Sequence, residues 1–263
     1  MNYNFKKIIA SALAFAVLTL SASSIYAEKL PDSENLVDNF SYEREIKGEN
    51  NNVIGVVKTD VTREVKVEED GTKVITLEKD IVEDYNEGED EERKKVDEFI
   101  ITASGEYYLN GEKLSEEFLN QTYTGSENTL KASYNGVSGG YLAEYDEISK
   151  DYYKLESYKT TNFFLDRGSA KTYTSTYVGE ENHAADIAIF VSKADGVEDA
   201  RDQVSLLTSA LAAELGIAVL TVSTVIGAIA AGGAAAITAS ELVDASNDGL
   251  EDLEDAYNII KNI

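Results

Sequence analysis

The chain contains no cysteine and no tryptophan, and it has only one proline, one methionine and one histidine among 263 residues. Without cysteine no disulfide can form, so folding depends on a buried core, which 43% hydrophobic residues can supply. One histidine and no cysteine leave only carboxylates as metal ligands, which excludes an ordinary zinc site. We therefore expect neither a metal centre nor a cofactor.

Basic residues are also scarce, with 23 Lys and Arg against 49 Asp and Glu and a net charge of −26. A chain this acidic is repelled by nucleic acid and by anionic lipid headgroups. Nucleic-acid binding is thereby excluded. A divalent cation, a basic partner or simple solubility remain as explanations of the charge.

The N-terminus has the three parts of a secretory signal. Lys6 and Lys7 precede the apolar stretch Ile8–Leu20, and a small residue, Ala27, ends the segment that a signal peptidase would recognise. An uncleaved anchor is the alternative, but an apolar stretch of about a dozen residues is short for a bilayer. We expect cleavage after Ala27 and an extracellular product that starts at Glu28, with its charge changed from −26 to −28 by the loss of two lysines.

Residues 52–178 show the alternation typical of strands, most clearly over 61–67, and most of the 16 tyrosines lie in this part. Asp70-Gly71 predicts a hairpin with a two-residue turn, and Asn110-Gly111 predicts a second hairpin. Residues 87–95 suggest a charged loop or a short helix. Helices do not alternate regularly with these strands, which favours an antiparallel sheet.

From His183 onward the apolar spacing becomes helical. We expect a helix that is broken at Asp195-Gly196, and a last helix that begins near Asn247 or Asp248, either of which could cap it. The fold class is therefore α+β. The expected organisation is a signal peptide over 1–27, a linker over 28–51, a strand-rich domain over 52–180 and a helical domain over 183–263.

The helical part contains Leu215–Ser240, a run of 26 residues without any charge, which we call the apolar segment. As one continuous helix it would be about 39 Å long, enough to cross a bilayer. Gly232-Gly233 could instead divide it into a hairpin of two helices.

Three interpretations of the apolar segment compete. A permanent anchor is normally followed by basic residues, whereas Glu241–Ile263 is acidic. Burial inside a helical bundle is the second, and we expect it in the resting protein. The third is an insertion element that is stored in the fold and shielded by helices 197–214 and 248–262. The residues expected to enter lipid are Leu215, Ile217, Val219, Leu220, Val222, Val225, Ile226, Gly227, Ile229, Gly232, Gly233 and Ile237.

Two sequences in the C-terminal third carry a resemblance to a family. Thr224–Ala230 reads Thr-Val-Ile-Gly-Ala-Ile-Ala, and the chain nearly ends in Ala256–Lys261, Ala-Tyr-Asn-Ile-Ile-Lys. Together with the export signal and the strand-rich middle, they resemble the geobacillin-like large secreted bacteriocins of Gram-positive bacteria. The resemblance implies an unmodified antibacterial toxin that acts on related bacteria. Membrane-active bacteriocins are typically cationic, so this acidic chain would need a surface receptor or a bridging cation.

One motif suggests an enzyme. Residues 136–140, Gly-Val-Ser-Gly-Gly, match the nucleophile elbow of hydrolases, and a helix over 141–153 could follow it. Ser138, Asp166 and His183 would then be the triad. The surrounding sequence lacks the parallel α/β pattern of such enzymes, so a glycine-rich loop is the better interpretation.

We therefore expect a protein that is not an enzyme and that acts on the membranes of target cells through its apolar segment. The alternative is a cell-surface or wall-associated binding protein with a tyrosine-rich β domain. Carboxylates between Glu241 and Asp255 oppose insertion while they are ionised, so mild acid is expected to favour it. The oligomeric state stays open.

Overall fold

The computed structural model describes residues 36–47, 53–86, 89–123, 143–166 and 172–263. Six strands follow one another as an antiparallel meander in which each strand pairs with the next. Alternation in the sequence places apolar side chains of the long central strands on one face of this sheet. The strands are β1 (Leu36–Lys47), β2 (Val53–Val67), β3 (Lys73–Tyr85), β4 (Glu91–Ile101), β5 (Tyr107–Leu109) and β6 (Glu112–Lys113).

Both predicted hairpins form, although one turn differs from the prediction. Asn110 and Gly111 connect β5 to β6 with positive φ at both residues (50° and 83°), as a two-residue type I′ turn requires. The turn at Asp70-Gly71 is longer, because the backbone N–H of Glu68 donates to the carbonyl of Thr72 at 2.8 Å and encloses three residues. Gly71, with φ of 88°, supplies the left-handed residue of that turn.

Two segments that the sequence assigned to a linker and to a charged loop or short helix contain strands. Strand β1 lies within the expected linker 28–51, where Phe40, Tyr42 and Arg44 share one half-buried face. The charged residues 87–95 include the start of β4, which pairs with β3 from Glu91 onward. Both were missed because charged and polar side chains hide the alternation.

A second antiparallel sheet contains β7 (Ala143–Ser149), β8 (Tyr152–Lys159) and β9 (Thr172–Gly179). The helix expected over 141–153 is therefore wrong. Asp151 turns the chain between β7 and β8 with φ of 61°, a conformation that ends any helix at this point.

The helices are α1 (Glu116–Leu119), α2 (Glu180–Leu215), α3 (Val222–Ala231) and α4 (Ala234–Asn262). The change from strand to helix at Gly179 confirms the α+β class, with antiparallel strands first and helices last. The predicted break at Asp195-Gly196 is wrong, because α2 continues through it. The last helix begins at Ala234, so Asn247 and Asp248 lie inside α4 and cap nothing.

One hydrophobic core takes residues from both sheets and from helices α2, α3 and α4. Helices α2 and α4 pack closely at Gly249, where a Cβ atom would meet Ala200 Cβ at 2.8 Å and Leu165 Cδ1 at 2.5 Å. Leu165 belongs to a buried loop after β8 whose Phe163 carbonyl accepts a hydrogen bond from Ser246 of α4 at 2.6 Å. Helix α4 is therefore fixed between its neighbours near its middle.

Candidate functional site

The apolar segment packs into the part of the core that the helices share with the first sheet. It contributes the end of α2, a short loop, all of α3 and the first turns of α4. Of the residues expected to enter lipid, Leu220, Val222, Val225, Ile226 and Ile229 are buried; Leu215, Gly227, Gly232 and Ile237 are half-buried; Ile217, Val219 and Gly233 are exposed.

Gly232 and Gly233 divide the segment, so it forms a hairpin and the continuous helix is wrong. Their φ/ψ values are 85°/−168° and 72°/−159°, a region that residues with a Cβ atom almost never adopt. Helix α3 ends before them and α4 starts directly after them. We call residues 222–240, α3 with the first turns of α4, the apolar hairpin. None of the helices in the described ranges combines the length and the apolar character needed to span a membrane.

Arg63 on β2 holds the end of α3. Its side chain is fully buried, and Nη1 donates to the carbonyls of Ile229 at 2.7 Å and Ala230 at 3.2 Å. The guanidinium also binds Asp38 of β1 through Nε at 2.7 Å and Nη2 at 3.0 Å. Carbonyls at a helix C-terminus have no partner within the helix and carry partial negative charge, which makes a buried cation a suitable cap. The same guanidinium fills the space where a Cβ of Gly232 would lie.

Lys79 on β3 holds α4 in a similar way. Its ammonium group, fully buried, donates to Asp97 of β4 at 2.8 Å and to Asp244 of α4 at 2.6 Å. The Tyr42 hydroxyl of β1 donates to the second oxygen of Asp244 at 2.5 Å. Burial opposes the charge of Lys79, but Asp244 and Asp97 outweigh it and raise the pKa of the lysine. We call Tyr42, Lys79, Asp97 and Asp244 the charged cluster.

Glu241 lies one turn before Asp244 and faces the same interface. Burial raises the pKa of Glu241 to about 7; Arg44 of β1 acts in the opposite direction, and Asp244 adds to the rise. Beside it is a cavity of about 20 Å³, lined by Tyr42, Arg44, Asp244 and neighbouring residues. That volume has room for one water molecule. Glu241 is therefore a partly buried carboxyl whose pKa lies near neutral pH.

A wider groove of about 740 Å³ opens between the first sheet and helices α2 and α4. Its three basic side chains are each held by a carboxylate, in the pairs Arg44–Asp248, Arg93–Glu83 and Lys193–Asp252. Acidic side chains outnumber the basic ones along its walls. The groove therefore suits a cationic molecule better than an anionic one.

The residues of the enzyme hypothesis are not brought together in the described part of the chain. Ser138 lies outside the described residues. His183 pairs with Asp186 on its own helix, Nδ1 to Oδ2 at 3.1 Å, and the backbone N–H of Asp166 donates to the side chain of Asn162. Within the ranges that the structure covers, no group of three or more His, Asp and Glu residues could hold a metal ion.

Sequence reasoning missed the buried charges that hold the apolar hairpin. A signal was present, because Arg63 lies between Val61 and Val65 on the inward side of β2, and Lys79 occupies an inward position of β3. A basic residue at an inward strand position needs a buried partner, and the acids that provide one come from distant parts of the chain. Comparison with protein-family profiles, with curated proteins and with solved structures finds no match to this chain.

Proposed function

We propose that this chain is a secreted antibacterial protein that acts on the membranes of target cells by releasing its apolar hairpin. The observation that carries the proposal is the way in which the hairpin is held. Its apolar side chains are buried in the shared core, and two buried cations add polar contacts: Arg63 binds the end of α3, and Lys79 binds Asp244, one turn beyond the hairpin in α4. No residue performs covalent chemistry in this mechanism.

The free energy of separating such an interface differs from that of opening an apolar core. Taking Arg63, Lys79 and their carboxylates out of water costs several kcal/mol per ion, and close pairing inside the fold has to offset this cost. When the hairpin leaves the sheet, the charged groups regain their hydration. The uncovered apolar side chains of α3, each worth about 1.5–3 kcal/mol on burial, regain an apolar environment in lipid. Release into a bilayer is therefore favoured over release into water.

A disulfide that fixes the hairpin tests the proposal, since the chain has no cysteine of its own. Thr122 and Thr221 lie opposite each other in an isolated antiparallel bridge, beside a hydrogen bond from Val222 N to the Gln121 carbonyl. Such a pair places its Cα atoms about 4.5 Å apart, within the range that a disulfide spans. The double variant Thr122→Cys/Thr221→Cys would tie the start of α3 to the segment after α1.

We expect the oxidised variant to release no dye from liposomes and the reduced variant to release it. Both forms carry the same substitutions, so the comparison isolates the covalent link. Equal leakage from both forms would remove release of the hairpin from the mechanism. Spotting the purified protein on lawns of related Gram-positive bacteria tests the antibacterial activity itself, and a lawn without clearing contradicts it.

Export belongs to the same proposal. Cleavage after Ala27 predicts that the protein in the culture medium begins with Glu28, which N-terminal sequencing of the secreted material measures. Protein that is retained in the cells, or that begins at Met1, contradicts this part. A surface receptor or a divalent cation would bring so acidic a protein to an anionic cell surface, and killing that is abolished by a chelator would identify the cation.

The second candidate is a binding protein of the cell surface or cell wall. The observation that favours it is on β9, where Tyr173 and Tyr177 are 61% and 57% exposed on one face. The ring of Tyr173 meets that of Tyr158 edge to face, 4.6 Å between centroids. Exposed aromatic side chains are frequent in recognition surfaces. Loss of cell-wall binding in Tyr173→Ala/Tyr177→Ala, with no killing by the unchanged protein, would favour this function over the first.

A further inference from the structure

The connection between α2 and α3 exposes apolar residues at its tip. Residues 216–219, Gly-Ile-Ala-Val, are all exposed, and we call them the apolar loop. Val219 is 59% exposed and Ile217 37%, whereas Leu220, the next residue, turns into the core and is 2% exposed. The loop therefore presents two β-branched side chains to solvent directly beside the buried start of the apolar hairpin.

The backbone of this loop is fixed at both ends. Gly216 ends α2 with φ of 65°, and its N–H donates to the Ala213 carbonyl while that of Ile217 donates to Ala212 at 3.0 Å, the pattern of a Schellman motif. At the other end, Thr221 pairs with Thr122 and also caps α3, its hydroxyl accepting from the N–H of Thr224. Exposure of the loop is consequently a property of the fold.

The apolar loop lies within an uncharged run of the chain. No charged residue lies between Glu214 and Glu241, and the Glu214 carboxylate accepts a hydrogen bond from Thr238 of α4. Leu206, which is 70% exposed on α2, lies four residues after Asp202; Ile217 lies three residues after Glu214, but no charged residue follows it until Glu241. In a chain with a net charge of −26, an exposed tip that carries no charge of its own adds no repulsion from an anionic surface.

We infer that the apolar loop is the surface by which the protein first contacts the lipid bilayer of a target cell. This inference rests on the proposed function and names its first step. Ile217 and Val219 enter the boundary between headgroups and acyl chains while the fold is still closed. Helix α3 begins three residues after Val219, so contact at the loop brings the apolar hairpin to the membrane.

A single tryptophan tests the inference directly, because the chain contains none. In Val219→Trp we expect the emission to shift to shorter wavelength on addition of phosphatidylcholine vesicles, and to be quenched by brominated lipid. The matched control, Leu206→Trp, places the probe at a more exposed apolar site of α2 and should show neither change. A shift at position 206 with none at 219, or equal shifts at both, overturns the inference.

The affinity for vesicles provides a second measurement. Ile217→Ser/Val219→Ser should bind phosphatidylcholine vesicles at least about tenfold more weakly, since two partly exposed aliphatic side chains no longer enter lipid. Ile189→Ser/Leu206→Ser removes two exposed apolar side chains from α2 and should leave the affinity unchanged. Equal losses in the two variants contradict a specific role of the loop.

Failure of the inference and failure of the proposed function are distinguishable. If the oxidised Thr122→Cys/Thr221→Cys protein still shifts the emission of a tryptophan at 219 but releases no dye, contact by the loop precedes opening, as inferred. Dye release by a protein whose tryptophan at 219 stays in water rejects the loop and leaves the hairpin mechanism intact. If the reduced protein contacts vesicles through the loop but releases no dye, release of the hairpin is rejected, and the role of the loop in first contact stands.

Discussion

Two glycines inside helices have opposite surroundings and should respond oppositely to alanine. Replacing glycine in a helix normally stabilises by about 0.5–1 kcal/mol. At Gly249 the new Cβ would meet Ala200 and Leu165 within 3 Å, whereas nothing lies within 4 Å of a Cβ at Gly227. We expect Gly249→Ala to lower the free energy of unfolding by about 1–3 kcal/mol and Gly227→Ala to raise it slightly. Urea unfolding of both variants measures this, and equal signs would contradict the close contact of α2 and α4.

Lys79 is the residue whose loss should damage the fold most. Lys79→Met removes the buried cation of Asp97 and Asp244 and leaves them only Lys95, at 3.8 and 3.9 Å, which costs about 3–5 kcal/mol of unfolding free energy. Lys94 is the matched control, because its ammonium group lies 2.7 Å from a carboxylate oxygen of Asp80, a similar distance, while its side chain is 84% exposed. Lys94→Met should leave the urea midpoint unchanged. Similar midpoints for the two variants would show that the charged cluster contributes nothing to holding α4.

Glu241 gives the fold a dependence on pH. Its pKa is about 7 in the folded protein against an ordinary value of 4.5, so the folded state binds the proton more tightly than the unfolded state. Stability therefore falls as the pH rises from 4.5 through 7, by on the order of 3 kcal/mol, and it is not lost in mild acid. Glu241→Gln should flatten the stability profile over this range, measured by urea unfolding at each pH. An unchanged profile excludes Glu241 as the titrating group.

The higher stability of the folded protein in mild acid acts against the expectation that mild acid favours insertion. Protonation lowers the cost of carrying Glu241 into lipid, but it also strengthens the closed state of the hairpin. Asp97 opposes this only at lower pH, because Lys79 overcomes the effect of burial and holds the pKa of Asp97 below its ordinary 3.8. The two effects of acid act on different steps, contact with lipid and release from the sheet.

At the scale of an element, the apolar hairpin depends on a glycine that has two roles. Gly232 has φ of 85°, and its missing Cβ leaves the space that Arg63 occupies. Gly105 has a similar φ of 83°, but nothing lies within 4 Å of the place where its Cβ would be. Gly105→Ala therefore measures the cost of the backbone conformation alone. We expect Gly105→Ala to cost about 1 kcal/mol and Gly232→Ala more than about 3 kcal/mol, because Arg63 must also move. Equal losses on thermal unfolding would show that Arg63 adapts freely.

Elements with local signals could be predicted from the sequence, and those with distant partners could not. Asn110-Gly111 specifies its turn through its own backbone preferences, and Gly232-Gly233 ends α3 for the same reason. Gly196 resembles a helix break, yet α2 continues through it, and its missing Cβ leaves room for Asp252 of α4. Asp248 resembles a helix cap, yet it lies inside α4 and binds Arg44 of β1 at 2.6 Å. Neither partner is near in sequence.

For the whole molecule, the shared core makes a prediction about cooperativity. Phe99 of the first sheet, Leu155 of the second and Leu211 of α2 are buried in one hydrophobic cluster. We expect the strand-rich part and the helical part to unfold in a single transition. Far-ultraviolet circular dichroism and tyrosine fluorescence should give coincident urea curves. Two separated transitions would support independent domains over 52–180 and 183–263.

The candidate site was only partly visible in the sequence, again for reasons of distance. The lack of charge over 215–240 identified the hairpin, because composition alone carries that signal. The side chains that hold the hairpin come from four strands and a helix. Asp38, Arg63 and Asp244 are separated from their partners by 25 to 202 residues of chain. Contacts of that separation are set by the register of the sheet, which one sequence does not specify.

The close approach at Gly249 fixes α4 at one point along its length. From this point, where Gly249 contacts Ala200 and Leu165, the helix extends about 22 Å back to Ala234, where the apolar hairpin turns. A bend of about 15° there would move the far end by about 6 Å, close to the pitch of a helix, while the C-terminal arm stays packed against α2. The hairpin could thus be raised from the sheet without dismantling the rest of the molecule.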